Sequence, residues 1–227
     1  GRYRKRIYSN GDRYFALRLK TSYFVAISMS CVELSVIIVN YNVKHFLEQC
    51  LYSVQRALRQ TSGEIIVIDN CSTDNSLTYL PAFFPDVQFI ANKENLGFAR
   101  ACNQGLKMSK GRFILFLNPD TIVPEDSFET AIRFMDEHPE AGALGSKMLD
   151  GSGHFLKESK RAFPSPLTSL YKLFGLSKLF PRSAHFSRYH LGHLDENKNN
   201  EVDVLAGAYM FIRKEVLDEV GGFDERF

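Results

Sequence analysis

The chain has 227 residues, 44% of them apolar and 24% charged, which suits one α/β domain and excludes collagenous, coiled-coil and disordered chains. The net charge of +2 conceals two basic segments, 1–30 and 154–193, each with seven Lys/Arg against one acid, Asp12 and Glu158 respectively. That distribution disfavours nucleic-acid binding by the whole protein, and no apolar run reaches the roughly 18–20 residues that span a bilayer.

Residues 1–30 read as a basic extension outside the domain, so residues 1–28 are expected to make few contacts with it. The chain opens with Gly1, as a fragment or processed product would. YFVAISMSCV looks superficially like a signal peptide, but no small-residue cleavage site separates it from the run at Leu34, and Met29 offers an alternative start. LSVIIV (34–39) is a continuous β-branched run, as in a strand buried on both faces of a parallel sheet. Asn42 is the expected N-cap of a helix whose apolar stripe is Val43, Phe46, Leu47, Cys50, Leu51, Val54 and Leu58. After Gly63 comes a second strand, EIIVID (64–69). Ser72 or Thr73 is expected to cap a short helix that stops before Pro81. VQFI (87–90) is a third strand. A helix from about Gly97 to Ser109 follows, with Phe98, Ala101, Cys102, Gly105 and Leu106 on one face. RFILFL (112–117) is the fourth strand and ends in NPDT. Pro124 suits the first position of the next helix, with Glu125 and Asp126 at its positive end and Phe128, Ala131, Ile132 and Met135 as its stripe. The four cysteines, Cys31, Cys50, Cys71 and Cys102, form no CxxC pair and read as free thiols, each a small buried hydrophobe in a reducing compartment.

This alternation predicts a doubly wound, mostly parallel sheet with helices on both faces, in which ligands bind at the carboxyl ends of strands. Tyr41, Asp69, residues 92–95 and Asp120 occupy those ends. Taken singly, Asp69 in DNCSTDNS and Asp120 in NPDT read as turn and cap residues. Taken together, they suit a ligand with hydroxyls and phosphates, one carboxylate accepting hydrogen bonds and the other holding a hard cation. Neither GxxxxGK[ST] nor a GxGxxG after the first strand is present, which excludes P-loop chemistry and argues against a dinucleotide dehydrogenase. A diphosphate here would need a metal and side chains to offset its charge.

Five ordered segments, LSVIIVNYN, EIIVIDNCSTDNS, NKENLGFARACNQGL, GRFILFLNPDTIVPE and VDVLAGAYMFIRKEVLDEVGGFDERF, resemble the family 2 glycosyltransferases of GT-A fold, with the nearest likeness to bacterial rhamnosyltransferase-like enzymes of surface polysaccharide synthesis. The resemblance covers about 34–149 and 202–227, and the catalytic domain it implies is 31–227 with a basic insertion at 150–201. It implies that Val39 and Tyr41 contact the nucleotide base and that Asp69 binds it. Asn95, Gly97, Arg100 and Asn103 would lie along the nucleotide sugar. Asn118, Pro119 and Asp120 stand where the family has DxD, so that Asp120 alone would be the carboxylate ligand of Mg2+ or Mn2+, beside Asn118. Gly207 and Ala208 would stand near sugar and acceptor. The general base of the family follows GGFDExF, so it is expected beyond Phe227. Asp224 is a substitute that GGFDE marks rather as a turn residue.

Four of the six histidines fall in 150–201 (His154, His185, His190 and His193), with no cysteine nearby to complete a metal site. PSPLTSLYKLFGLSKLF can form an amphipathic helix through Leu167, Leu170, Tyr171, Phe174 and Leu179. It is either packed on the domain or a flap toward anionic lipid and lipid-diphosphate acceptors. The expected function is inverting, metal-dependent sugar transfer from a nucleotide-sugar donor to a glycan or lipid-linked acceptor. The expected location is cytoplasmic, with peripheral contact at the inner membrane surface. The rival readings are a sugar nucleotidyltransferase and a catalytically inert nucleotide-binding module.

Overall fold

The computed structural model of the protein describes residues 14–18, 32–154, 156, 160–161, 199–202 and 204–226. The amphipathic segment at 164–180, His185, His190 and His193 lie outside the described residues, as does most of the basic extension. In chain order the elements are β1 (Tyr14–Arg18), β2 (Leu34–Asn40), α1 (Lys44–Ala57), β3 (Gly63–Asp69), the single turn α2 (Ser76–Tyr79), β4 (Val87–Ala91), α3 (Phe98–Met108), β5 (Phe113–Leu117), α4 (Ser127–Glu137), β6 (Ala141–Ser146), β7 (Lys160–Arg161), β8 (Asn200–Glu201), β9 (Val204–Leu205), β10 (Tyr209–Arg213) and α5 (Lys214–Val220). They fall into two units, Tyr23–Glu137 with Gly207–Phe227, and Gly1–Ser22 with His138–Ala206.

The larger unit carries the four expected strands as a parallel array in the order β4, β3, β2, β5. β10 adds a fifth strand antiparallel to β5, Tyr209 beside Leu117 and Arg213 beside Phe113. Leu34, Val36, Ile37, Ile38, Ile66, Val67 and Ile68 are fully buried, as a strand covered on both faces requires. From β2 the chain advances to β3 through α1, whereas from β4 it returns across the sheet to β5 through α3. Right-handed crossovers in opposite directions put α1 and α3 on opposite faces. The α3 face holds Ile37, Cys102, Ile114, Phe116 and, from α5, Leu217, with Ile66, Ile68 and Ala101 beside them. Contact there is close enough that a Cβ at Gly105 would stand 2.5 Å from Ile37 Cγ2.

Several local expectations are corrected. Asn42 does not cap α1. It sits at φ +55°, and its Oδ1 accepts from Thr73 N at 2.7 Å, while the first helical N–H, on Lys44, is taken by Asp74 Oδ2 at 2.7 Å. Likewise Ser72 and Thr73 do not cap α2; the N-cap position is Asn75 at φ +63°, and Asp74 Oδ1 takes Ser76 N at 3.1 Å. The tertiary pairing of two adjacent loops wins over local capping in both cases. Phe46, assigned to the buried stripe of α1, is 58% exposed, and the helical stripe is completed instead by Ser53 and Ala57. α4 begins three residues after Pro124, at Ser127. Cys50 and Cys102 are buried thiols, but Cys71 is exposed, on a loop at φ +64°.

In the smaller unit β1 runs antiparallel to β6 from Tyr14 beside Ser146 to Arg18 beside Ala141, and β8 joins its other side in parallel. β7 and β9 form a separate two-stranded pair. Residues 14–18, expected to stand apart, thus lie in a sheet, where they satisfy an edge of β6 that would otherwise present unpaired backbone groups.

Candidate functional site

β2 lies between β3 and β5, and the chain leaves it outward to β3 and β4 before returning to β5 on its other side. The carboxyl ends of β2 and β5 are therefore the switch point at which an open α/β sheet leaves a crevice. Asn40 is level with Asp69 and Ala91, and Ile38 is level with Leu117, so the turns after β2, β3, β4 and β5 all open at one end of the unit. Asp69 and the turn after β5 flank β2 at two strand spacings, about 10 Å.

Asp69 is completely buried. Its Oδ2 accepts from Asn40 Nδ2 at 2.6 Å and its Oδ1 from Ser72 N at 2.8 Å. Asn40, also fully buried, donates in addition to Ser72 Oγ at 3.1 Å, and Ser72 Oγ in turn accepts from Asn42 N at 2.9 Å. The carboxylate thus locks the β2–α1 loop to the β3–α2 loop. Sequence reasoning missed Asn40. The available signal was a polar residue ending an apolar run in register with an acid that ends the next. Val39 packs partly buried on the α3 side of the sheet, whereas Tyr41 is 50% exposed at the crevice.

Beyond β4, Asn92 Nδ2 donates to Asn70 Oδ1 at 2.9 Å, and Asn70 Nδ2 donates to Gly97 O at 3.3 Å. Asn95 Oδ1 accepts from Gly97 N at 2.9 Å, and Gly97 takes φ +80°, a conformation open to glycine, to turn the chain into α3. Asn95 and Gly97 are exposed at the same end as Tyr41.

On the β5 side, Asn118 N donates to Ala208 O at 3.0 Å, which brings the turn of exposed Gly207 and half-buried Ala208 to the crevice. Cys50 Sγ reaches Asn118 O at 3.7 Å, and Ser53 Oγ accepts from Val123 N at 3.2 Å, so α1 holds both ends of this loop. Burial, aided by the charge of Asp120, pushes the Cys50 thiol up to about 12, so the thiol stays neutral beside Asp120. Asp120 itself is exposed. Among the described residues no three His, Cys, Asp or Glu side chains come together. A lone exposed carboxylate such as that of Asp120 is the kind of protein ligand a hard cation takes while keeping most of its shell as water and phosphate oxygens.

Arg100 and Asn103 are engaged by the chain's own C-terminal segment. Asn103 donates through Nδ2 to Phe223 O and to Glu225 Oε1, each at 2.9 Å, and accepts from Phe223 N at 2.7 Å. Arg100 Nε stands 3.8 Å from Glu225 Oε2, both side chains about half exposed. Asp224 is spent on Arg226, with 2.6 Å between Oδ2 and Nη2. Hydrogen bonding by the Arg226 side chain, then by its backbone N–H, holds the Asp224 carboxyl below its ordinary range, the opposite of what a general base needs.

Comparison with known proteins agrees with this geometry. The family model for Glycosyl transferase family 2 matches residues 35–221. The chain is 35% identical over 113 residues to the minor teichoic acid biosynthesis protein GgaB of Bacillus subtilis, covering 47% of this chain and 12% of that protein. It is 26% identical over 206 residues to an N-acetylglucosaminyl-diphospho-decaprenol L-rhamnosyltransferase of Mycobacterium tuberculosis, covering 86% and 66%. Among solved structures, a Pyrobaculum calidifontis mannosyltransferase with GDP-Man and Mn2+ superposes with TM-score 0.54 at 18% identity, over 91% of this chain and 52% of that one. Staphylococcus aureus TarS gives 0.52 at 22%, over 86% and 31%. These likenesses show the GT-A fold, and the chain spans 12% and 66% of the lengths of the two curated relatives. With the family model covering most of its length, this chain belongs to glycosyl transferase family 2.

Proposed function

We propose that the crevice at the switch point binds a nucleoside-diphosphate sugar and that the enzyme transfers the sugar, with inversion, to a hydroxyl of a glycan or lipid-linked acceptor. The observation that carries this reading is the pairing across β2: the Asn40–Asp69–Ser72 lock on one side, and the loop bearing Asn118 and Asp120 on the other. Tyr41, half exposed between them, offers a face for the base. Asp69, wholly covered, holds the 70–73 loop that walls the base site. Asn95 and Gly97 lie along the sugar, and Gly207 and Ala208 border the acceptor side. Mg2+ or Mn2+ at Asp120 would supply charge stabilisation for the departing diphosphate. Asp120 offers an exposed carboxylate to that ion, and Asn118 stays neutral beside it, so affinity for metal depends on the nucleotide.

The names of the two curated relatives, one a teichoic acid protein and one a transferase onto a diphospho-decaprenol sugar, support a role in bacterial surface-polymer synthesis. A cytoplasmic site would suit a lipid-diphosphate acceptor, and the positive charge of segments 1–30 and 154–193 would favour anionic lipid.

Titration calorimetry with UDP, GDP and dTDP, with and without Mn2+, tests the donor site. Asp69→Ala should weaken binding of the preferred nucleotide under both conditions, about tenfold or more, because the 70–73 loop loses the buried charged hydrogen bonds that hold it against the base site. Asp120→Ala should remove only the increment that Mn2+ adds. Equal losses in both variants would show the roles to be wrongly divided, and no binding of any of the three would refute the donor site.

A further inference from the structure

We infer that Asn103 is a positioning residue: it clamps segment 221–226 onto α3 and so sets one wall of the crevice, with Arg100 as a second anchor. The inference deepens the reading of the donor site and reassigns one residue within it.

The path of the chain puts the segment at the right end of the unit. β10 runs antiparallel to β5, so it enters at the crevice end, at Tyr209, and leaves at the far end, at Arg213. α5 carries the chain back, and Gly221 at φ +85° releases it at the crevice end on the α3 face. There the side chain of Asn103 treats Phe223 as a neighbouring strand would. It accepts from the Phe223 N–H and donates to the Phe223 C=O, and the same amide nitrogen also reaches Glu225. Such a two-sided grip consumes both donor protons of the amide and one lone pair of its oxygen, leaving little with which to hold a sugar.

Four further contacts converge on the same segment. The Phe223 ring packs edge-on against Phe116 at 4.9 Å and against Phe98 at 5.8 Å. Gly222 lies so close to α3 that a Cβ there would stand 2.2 Å from Asn103 Oδ1. Arg100 faces Glu225 at 3.8 Å, and half-exposed pairs of that length contribute little, so the amide does most of the holding. With Asp224 turned to Arg226, the segment presents its acids already paired within the rim rather than free in the crevice.

Hydrogen exchange of the amides in 221–226, measured on this chain, reads the clamp directly, and nucleotide titration reads the donor site separately. Asn103→Ala should speed exchange across 221–226 by about tenfold or more, the worth of the lost hydrogen bonds, with the affinity for UDP, GDP or dTDP, whichever binds, unchanged within about twofold. Gly222→Ala, which pries the same contact open while leaving Asn103 in the sequence, should reproduce that pattern, and the double variant should add little, as coupled residues do. Asn103→Asp should release the segment by setting a carboxylate beside Glu225. Adding Glu225→Gln should recover part of the protection through a side-chain bond of reversed polarity, a rescue that loss of packing alone would not allow. Unchanged exchange in Asn103→Ala, or no recovery in the paired variant, would overturn the inference. So would a tenfold loss of nucleotide affinity in Asn103→Ala that Gly222→Ala does not share, which would return Asn103 to the donor. Failure of all three nucleotides to bind would refute the donor site while leaving the exchange result to decide the clamp.

Discussion

Asp74 shows at the residue scale how this protein joins its loops. One oxygen takes the first free N–H of α1, on Lys44, and the other takes Ser76 N and the Ser76 hydroxyl. Partial burial pulls its pKa upward, but the Ser76 hydroxyl and the backbone N–H groups outweigh it, and the carboxyl lies below its ordinary value. A folded-state pKa below the unfolded one contributes stability that is present above about pH 3.9 and lost as pH falls through the folded value. Asp74→Ala should therefore cost about 1 kcal/mol near pH 7, as loss of a helix cap does, and thermal melts should show the difference shrinking below about pH 3. An equal deficit at both pH values would sink the charge-based account. The cysteines give a second residue-scale prediction. Cys50 and Cys102 are buried and both pushed up to about 12 by burial, Cys50 with the added effect of Asp120, whereas Cys71 is exposed. Maleimide at pH 8, followed by peptide mass spectrometry, should label Cys71 in the folded protein and Cys50 and Cys102 only after denaturation. Early labelling of Cys50 would show that the loop after β5 does not cover it.

At the element scale, Gly111 and Gly105 differ in what a methyl group would meet. At Gly111 a Cβ would stand 2.5 Å from Ser35 N and 2.7 Å from Phe113 O, both backbone atoms of strands β2 and β5. At Gly105 it would meet the side chain of Ile37 on β2. Backbone in a sheet cannot yield, so Gly111→Ala should cost about 2–3 kcal/mol. Ile37 is fully buried and its Cγ2 is held by branching at Cβ, so overpacking outweighs the roughly 1 kcal/mol that alanine gains in helix propensity over glycine, and Gly105→Ala should cost about 1 kcal/mol. Urea unfolding of both variants separates them, and the reverse order would show that α3 is more rigidly seated on β2 than the loop before β5. The same scale explains the capping correction. Asn42, Ser72 and Thr73 have cap chemistry, but the β2–α1 and β3–α2 loops lie side by side and bond to one another, so Asp74 is left to cap across the gap.

At the scale of the whole molecule, charge is the feature that sequence alone makes testable. The segments 1–30 and 154–193 each carry seven Lys/Arg and one acid on a chain whose net charge is +2. No helix among the described residues is long and apolar enough to cross a membrane, and these basic segments would be drawn to an anionic lipid surface by charge. Phosphatidylglycerol vesicles should sediment with the protein at low salt and release it near 0.5 M salt, roughly where screening shortens the reach of charge to a few ångströms. Binding that survives high salt, or none at low salt, would count against the lipid-facing role of these segments.

The apolar runs at 34–39, 64–69 and 112–117 determined three parallel strands by themselves, because a strand buried on both faces needs a continuous apolar run, whereas VQFI at 87–90, broken by Gln88, forms a strand of which only Val87 is buried. Their order also marked Asp69 and Asp120 as strand-end acids, and five ordered motifs pointed to the family. Tertiary structure decided the rest. Asn40 became part of the site through its register with Asp69, a relation between residues twenty-nine positions apart that no local pattern carries. Asn103, read from its motif as a sugar contact, is gripped by Phe223 and Glu225, one hundred and twenty or more residues along the chain. A side chain's partners at the end of a sheet depend on which loops are brought together there, and only the fold brings them together.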